Sequence, residues 1–251
     1  MNRAGAQRRA WLRGVAAAAV PGFVPGFVPG AVLALASRDT RAASDAAAGV
    51  APRTRVDVSR LPAPGSYSLP RLMAAPDGVV LNSDGSSLRL HQALRHRLTV
   101  LSFMYTYCRD AEGCPRAWAA MDALYDALRA DPALAARAQL VSLSFDPSND
   151  TPEQMRLFGG TRIGDARVTW RFLTTASVPA LLPMLDGLGQ DVTVETDVRG
   201  RPTRTLNHLL KLFLIDTRMQ VREIYSVATL DPQALLNDLR TLQIELAGRR
   251  P

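Results

Sequence analysis

The sequence predicts an α/β fold with a mixed central sheet, helices on both faces and an inserted β-hairpin. Three observations carry this. RLTVLSFMYT (97–106), QLVSLSFD (139–146) and LKLFLID (210–216) are dense apolar runs rich in β-branched and aromatic residues, the character of strands buried on both faces. Segments with apolar residues at helical spacing separate these runs. Two alternating segments turn on a glycine, as hairpins do.

Taken in order, VVLNSDGSSLRL (79–90) alternates around Asp84-Gly85 and predicts the first hairpin. The core strand 97–106 follows. Trp118, Met121, Leu124, Tyr125 and Leu128 then recur at helical spacing, with Pro115 suited to the first turn, where its missing N–H costs nothing. After the strand 139–146, Thr151 caps and Pro152 opens a helix running through Phe158. VTWRFLT (168–174) reads as a strand, and SVPALLPMLDGLG (177–189) as a helix despite Pro183. VTVETDVRGRPTRTL (192–206) predicts the inserted hairpin, turning at Arg199-Gly200. The strand 210–216 leads to the alternating MQVREIYS (219–226). Asp231 and Pro232 then start a closing helix that buries Leu235, Leu236, Leu239, Leu242 and Leu246.

The formal charge of +7 is concentrated at the N-terminus. Residues 1–42 hold Arg3, Arg8, Arg9, Arg13, Arg38 and Arg41 against Asp39, a net of +5, which leaves the remaining chain at +2. No basic face for nucleic acid is expected. QRRAWLR (7–13), followed by an uncharged run from Gly14 to Ala36, resembles a bacterial twin-arginine export signal. The repeated VPGF units make the run a poor membrane helix, because interior prolines remove backbone hydrogen bonds. The expected organisation is an export signal or N-terminal anchor over 1–36, a disordered Ala-, Arg- and Pro-rich linker over 37–65, and a folded domain over 66–251. Whether the leader is cleaved or kept as an anchor, the body faces an oxidising compartment, in which two cysteines are able to pair.

Cys108 and Cys114 are the only cysteines in the 251 residues. They lie in TYCRDAEGCPRAW, between the first core strand and the first long helix. A cysteine pair at that junction is the thioredoxin-like arrangement, in which the helix N-terminus favours a thiolate. Three readings stay open. A staple across so short a loop removes little chain entropy. A redox couple is possible, although thioredoxin-style pairs have two residues between the cysteines and here there are five, among them Asp110 and Glu112, whose charge disfavours a nearby thiolate. A soft-metal clamp needs two thiolates and an imidazole, a set suited to copper(I), or to copper(II) with added oxygen or nitrogen donors. The chain has three histidines. His91 and His96 are expected on a solvated turn before the core strand. His208 stands just ahead of the strand 210–216, where chain direction can bring it to the edge that carries the cysteines, although on its own a histidine there is more often a satisfied structural group.

Several segments together resemble the Sco/SenC proteins, thioredoxin-fold copper chaperones for cytochrome c oxidase assembly. SFMYTYC…CP is similar to the family's strand and Cys-x-x-x-Cys-Pro motif. VSLSFDPSNDTPEQMRLFG (141–159) resembles its Asp-Pro…Asp-Thr-Pro segment, the most specific of the matches. TWRFLT (169–174) and NHLLKLFLID (207–216) resemble its Trp-x-Phe-Leu-Thr strand and its histidine-bearing strand.

The resemblance implies that Cys108, Cys114 and His208 ligate copper, Cu(I) or Cu(II), and that Asp146 and Asp150 occupy the family's acidic positions. It implies an acceptor in the copper site of a respiratory oxidase subunit, a thiol reductant for the cysteines, and a periplasmic location with an inner-membrane anchor if the leader is retained. A chaperone of this kind is not an enzyme; the alternative is a thiol–disulfide oxidoreductase with Cys108 and Cys114 as its redox pair. A peroxidase is disfavoured, because the Pro-x-x-x-Thr-x-x-Cys pattern is missing. Two departures from the family stand out. The cysteine spacer is two residues longer, and Asn207 and Leu209 flank His208 where the family has Asp and Ser, removing an acidic partner that orients the imidazole.

Overall fold

The computed structural model describes residues 61–108 and 113–248. The leader, most of the linker and the spacer positions Asp110 and Glu112 lie outside the described residues. Among those described, no helix is long and apolar enough to cross a membrane.

The strands are β1 (Met73–Ala74), β2 (Val79–Asn82), β3 (Ser87–Arg89), β4 (Leu98–Met104), β5 (Ala138–Ser144), β6 (Trp170–Thr174), β7 (Val192–Thr196), β8 (Pro202–His208), β9 (Lys211–Ile215) and β10 (Gln220–Ser226). The helices are α1 (Leu90–Leu94), α2 (Gly113–Ala130), α3 (Pro132–Ala135), α4 (Pro152–Gly159), α5 (Val178–Gly187) and α6 (Pro232–Gly248). Eight strands form one sheet in the order β1-β10-β9-β4-β5-β6-β2-β3, and β7 and β8 pair apart from it. β4, β5 and β6 run parallel, while β9 and β2 join antiparallel on either side. The sheet is therefore mixed, and the fold is thioredoxin-like.

The central strands are apolar on both faces because helices cover both. On one face Leu98, Val100, Leu140, Trp170 and Leu212 pack against α2, α3, α4 and α6 through Met121, Leu134, Met155 and Leu239. On the other, Leu101, Phe103, Val141, Leu173 and Phe213 meet Leu90 and Leu94 of α1 and Leu181, Met184 and Leu185 of α5. Most of these side chains are fully buried, each stabilising the fold by about 1.5–3 kcal/mol relative to exposure.

Two start signals act as expected: Thr151 accepts a hydrogen bond from Gln154 N at the start of α4, and Asp231 one from Ala234 N at α6. Ser177 caps α5 in the same way, accepting from Ala180 N. Gly85 and Gly200 turn their hairpins with φ of 85° and 74°, a conformation that Cβ-bearing residues avoid. Three short elements, β1, α1 and the four-residue α3, have no counterpart in the sequence reading. β1 is too brief for a period, and the single turn of α1 is hidden in the alternation that ends the first hairpin. His91 therefore sits on α1 rather than on a solvated turn, with its ring Nε2 2.8 Å from Ala75 O. His96 does lie on the turn after α1, with φ 71°. The body's tertiary contacts also begin slightly before Ser66: Asn237 on α6 donates to Pro62 O and Gly65 N donates to Thr241 Oγ1.

Candidate functional site

β4 delivers the chain to the candidate site. After Met104, residues 105–108 form a turn in which Cys108 N donates to Tyr105 O (3.3 Å). Cys114 enters from the other side, in the first turn of α2, next to the N-terminal end of the helix macrodipole. The two sulfurs are bonded to each other, with the Cα atoms 6.5 Å apart. The five-residue spacer thus leaves both cysteines at one place, half-buried at the end of the sheet.

The inserted hairpin brings the histidine. Val192, Val194 and Leu206 pack against the core on the α5 face, and Leu206 N points to Tyr105 Oη at 3.5 Å. His208 is the last residue of β8. Its ring lies 4.4 Å from Phe145 and 6.4 Å from Tyr105, centroid to centroid. His208, Cys108 and Cys114 together line one cavity of about 330 Å³, whose apolar wall is built by Met104, Trp118, Met121, Phe158 and Leu210. The three residues singled out in the sequence therefore converge, although a hundred positions separate His208 from Cys108.

Convergence does not amount to a formed metal site in this state. Among the described residues, no three His, Cys, Asp or Glu side chains are grouped so as to hold a metal ion. The chemistry explains this. The thiolate, not the disulfide sulfur, is the metal ligand, so reduction must precede coordination.

Asn207 stands at the sequence position before His208, where the family has Asp, and is exposed on β8. Instead, His208 Nδ1 lies 3.3 Å from Leu209 O, and that carbonyl also accepts from Nε2 of the buried Gln190 (3.0 Å). A proton on Nδ1 directed at Leu209 O would leave Nε2 as the ring nitrogen with a free lone pair. Gln190, three residues past the end of α5, has no linear motif that marks it. It reaches His208 only because the hairpin returns the chain to that point.

Asp146 and Asp150 are not interchangeable. Asp146 accepts from Asn149 Nδ2 at 3.0 and 2.8 Å, and burial pushes its carboxyl pKa up, with the Asp150 charge adding to the shift and Arg204 opposing it. Asp150 is 1% exposed. It accepts from Ser144 Oγ (2.5 Å), from Thr106 N (3.1 Å) and from Thr106 Oγ1. Arg204 on β8 stacks its guanidinium 4.3 Å from the ring centroid of Tyr107, the residue before Cys108.

A family model described as SCO1/SenC matches residues 79–243. No curated protein matches the sequence. Among solved structures, the chain is similar to Arabidopsis thaliana ScoI with copper bound: 17% identity, TM-score 0.55, covering 68% of this chain and 99% of that one. It is likewise similar to a SCO1/SenC family lipoprotein from Bacillus anthracis, at 24% identity and TM-score 0.54, covering 68% and 95%. Apo Sco1 from Thermus thermophilus matches at 21% identity and TM-score 0.54, covering 72% and 99%. At these identities the likeness to the solved structures is one of fold.

Proposed function

The chain belongs to the SCO1/SenC family, and from that premise we propose that it is an exported copper-binding chaperone. Reduced Cys108 and Cys114 supply two thiolates and His208 an imidazole, and the copper is cargo passed to a respiratory oxidase subunit. The observation that supports this best is the shared cavity of Cys108, Cys114 and His208. Two thiolates with one imidazole suit copper(I) and, with an added oxygen or nitrogen donor, copper(II). All three ligands are half-buried rather than enclosed, so an incoming acceptor thiol is able to displace them one at a time. Loading requires two electrons and two protons from a thiol reductant to open the disulfide, after which copper displaces the thiol protons.

The body then works in the periplasm, anchored to the inner membrane if the leader is retained. A twin-arginine route would export the protein folded and already loaded. Replacing the leader with one that exports unfolded chains should then lower the copper content; unchanged copper would refute that route of loading.

The formed disulfide favours a second reading, a thiol–disulfide oxidoreductase acting on oxidase or other exported cysteines. One experiment separates the two. The reduced protein is titrated with copper(I) and copper(II), beside His208→Ala. The chaperone reading expects tight binding with thiolate-to-copper absorption in the parent and a loss of 10-fold or more in the variant, with thiol exchange intact. No tight copper binding in either oxidation state would leave the oxidoreductase reading alone.

A further inference from the structure

Asp150 is more buried than any ligand of the candidate site and lies away from the cavity, yet it is hydrogen-bonded to the segment that carries Cys108. Its own backbone is held, since Asp150 N donates to Asp146 O (2.8 Å) and Thr151 follows as the cap of α4. Its carboxylate then joins two strand ends. One is Ser144, the last residue of β5, whose hydroxyl donates at 2.5 Å. The other is Thr106, just past the end of β4, which donates both its N–H and its hydroxyl. β4 and β5 pair in register from Leu98↔Ala138 to Met104↔Ser144, and Phe145 N still donates to Met104 O (3.0 Å). Beyond Met104 the ladder stops on the β4 side, and the Asp150 carboxylate takes over. Cys108 follows two residues later, its N–H closing the turn onto Tyr105 O.

We infer that Asp150 is a positioning residue that holds Cys108 within reach of Cys114 through Thr106. The inference rests on the copper reading for one of its two consequences only. A charge-assisted hydrogen bond to a buried carboxylate is about twice as strong as a neutral one, so this clip restricts the cysteine turn more than an ordinary turn hydrogen bond does. Disulfide closure and copper chelation both require the two sulfurs to be held together. Loosening the Cys108 side lowers their effective concentration for each other and weakens both processes by the same factor. The disulfide midpoint potential then rises, because the oxidised form loses its advantage, and copper(I) affinity falls. For a two-electron couple a 10-fold loss corresponds to about 30 mV.

The test uses the full chain with Thr106→Val, Thr106→Ser and Asp150→Asn. Thr106→Val removes only the hydroxyl donor, and Thr106→Ser restores it. Asp150→Asn removes the charge and turns one acceptor into a donor. The midpoint potential is read by equilibration with a glutathione redox buffer, and copper(I) affinity by competition with a chromophoric chelator. Expected are a rise of about 30 mV with a 10-fold weaker affinity in Asp150→Asn, and a shift of at least threefold, about 15 mV, in Thr106→Val, with Thr106→Ser close to the parent. Potentials within 10 mV of the parent in Thr106→Val and Asp150→Asn would overturn the inference, whatever the copper result. If Asp150→Asn does not fold, the two Thr106 variants decide alone. A shifted potential in a protein that binds no copper would support the positioning role while refuting the chaperone reading.

Discussion

Arg222→Met tests whether the reading of the core is quantitatively sound. Arg222 is buried on β10, with side-chain exposure of 6%, between Asp216 (7%) and Glu245 of α6 (23%). Its guanidinium donates to Asp216 Oδ2 at 3.0 Å and Glu245 Oε2 at 2.8 Å, and to Leu69 O at 2.6 Å. Methionine keeps much of the length and none of the charge. Removing one member of a buried ionic pair costs about 3–5 kcal/mol, mostly because the remaining charge is left uncompensated. Two features place this case at the lower end. Asp216 keeps the backbone donors Arg218 N (2.8 Å) and Gln220 N (3.0 Å) on its other oxygen, and Glu245 is exposed enough to recover some solvent. The expected loss is about 3 kcal/mol, or roughly 6–12 °C in melting temperature for a domain of this size.

Urea unfolding at neutral pH followed by circular dichroism measures it. Asp216 follows β9 at the end where Ile215 pairs with Thr99, near the start of β4, whereas the cysteine turn follows the end of β4. Copper affinity and disulfide potential should therefore stay at the parent values. The added change Asp216→Asn, which removes the stranded charge, should restore about 1 kcal/mol or more. A loss below 1 kcal/mol in Arg222→Met, or no recovery in the double variant, would refute the argument from an uncompensated buried carboxylate.

Two further outcomes are expected. Gln190→Leu removes a hydrogen bond worth about 1 kcal/mol but also a buried Oε1 that has no partner among the described residues, so stability should change by less than about 1 kcal/mol. Copper(I) affinity should nonetheless fall about 10-fold as Leu209 O and the His208 ring lose their anchor, and equal affinity in the two proteins would rule that anchor out. Burial and the Asp238 hydrogen bond push the Tyr67 pKa up to about 12, so the folded state keeps a proton that the unfolded chain releases near pH 10. This contribution to stability is complete below pH 10 and is lost as the pH rises towards 12. Tyr67→Phe should flatten that part of the pH–stability curve, and an unchanged slope would show that Tyr67 does not cause it.

The amino-acid sequence by itself determined the architecture and the identity of the candidate ligands. Periodicity located β4, β5, β6, β9 and α2, because a strand buried on both faces and a helix buried on one leave different spacings of apolar residues. Thr151, Pro152, Asp231 and Pro232 marked helix starts because capping is a local hydrogen-bond demand, met by the residue type at that position. Cys108, Cys114 and His208 were legible for a different reason: few residue types bind soft metals, and the chain has two cysteines and three histidines from which to choose. Local chemistry does not report distance. The meeting of His208 with a disulfide a hundred residues earlier depends on the β7–β8 hairpin packing over the core beside Tyr105 and Phe145. The resemblance marks Asp150 only as an acidic position of the family, and only the parallel pairing of β4 with β5 places its carboxylate under Thr106. Gln190 had no signal at all, because its partner is a backbone carbonyl, which every residue carries. The side chains that hold the ligands were decided by the tertiary structure, since a hydrogen bond between distant segments exists only once the sheet has brought its donor and acceptor together.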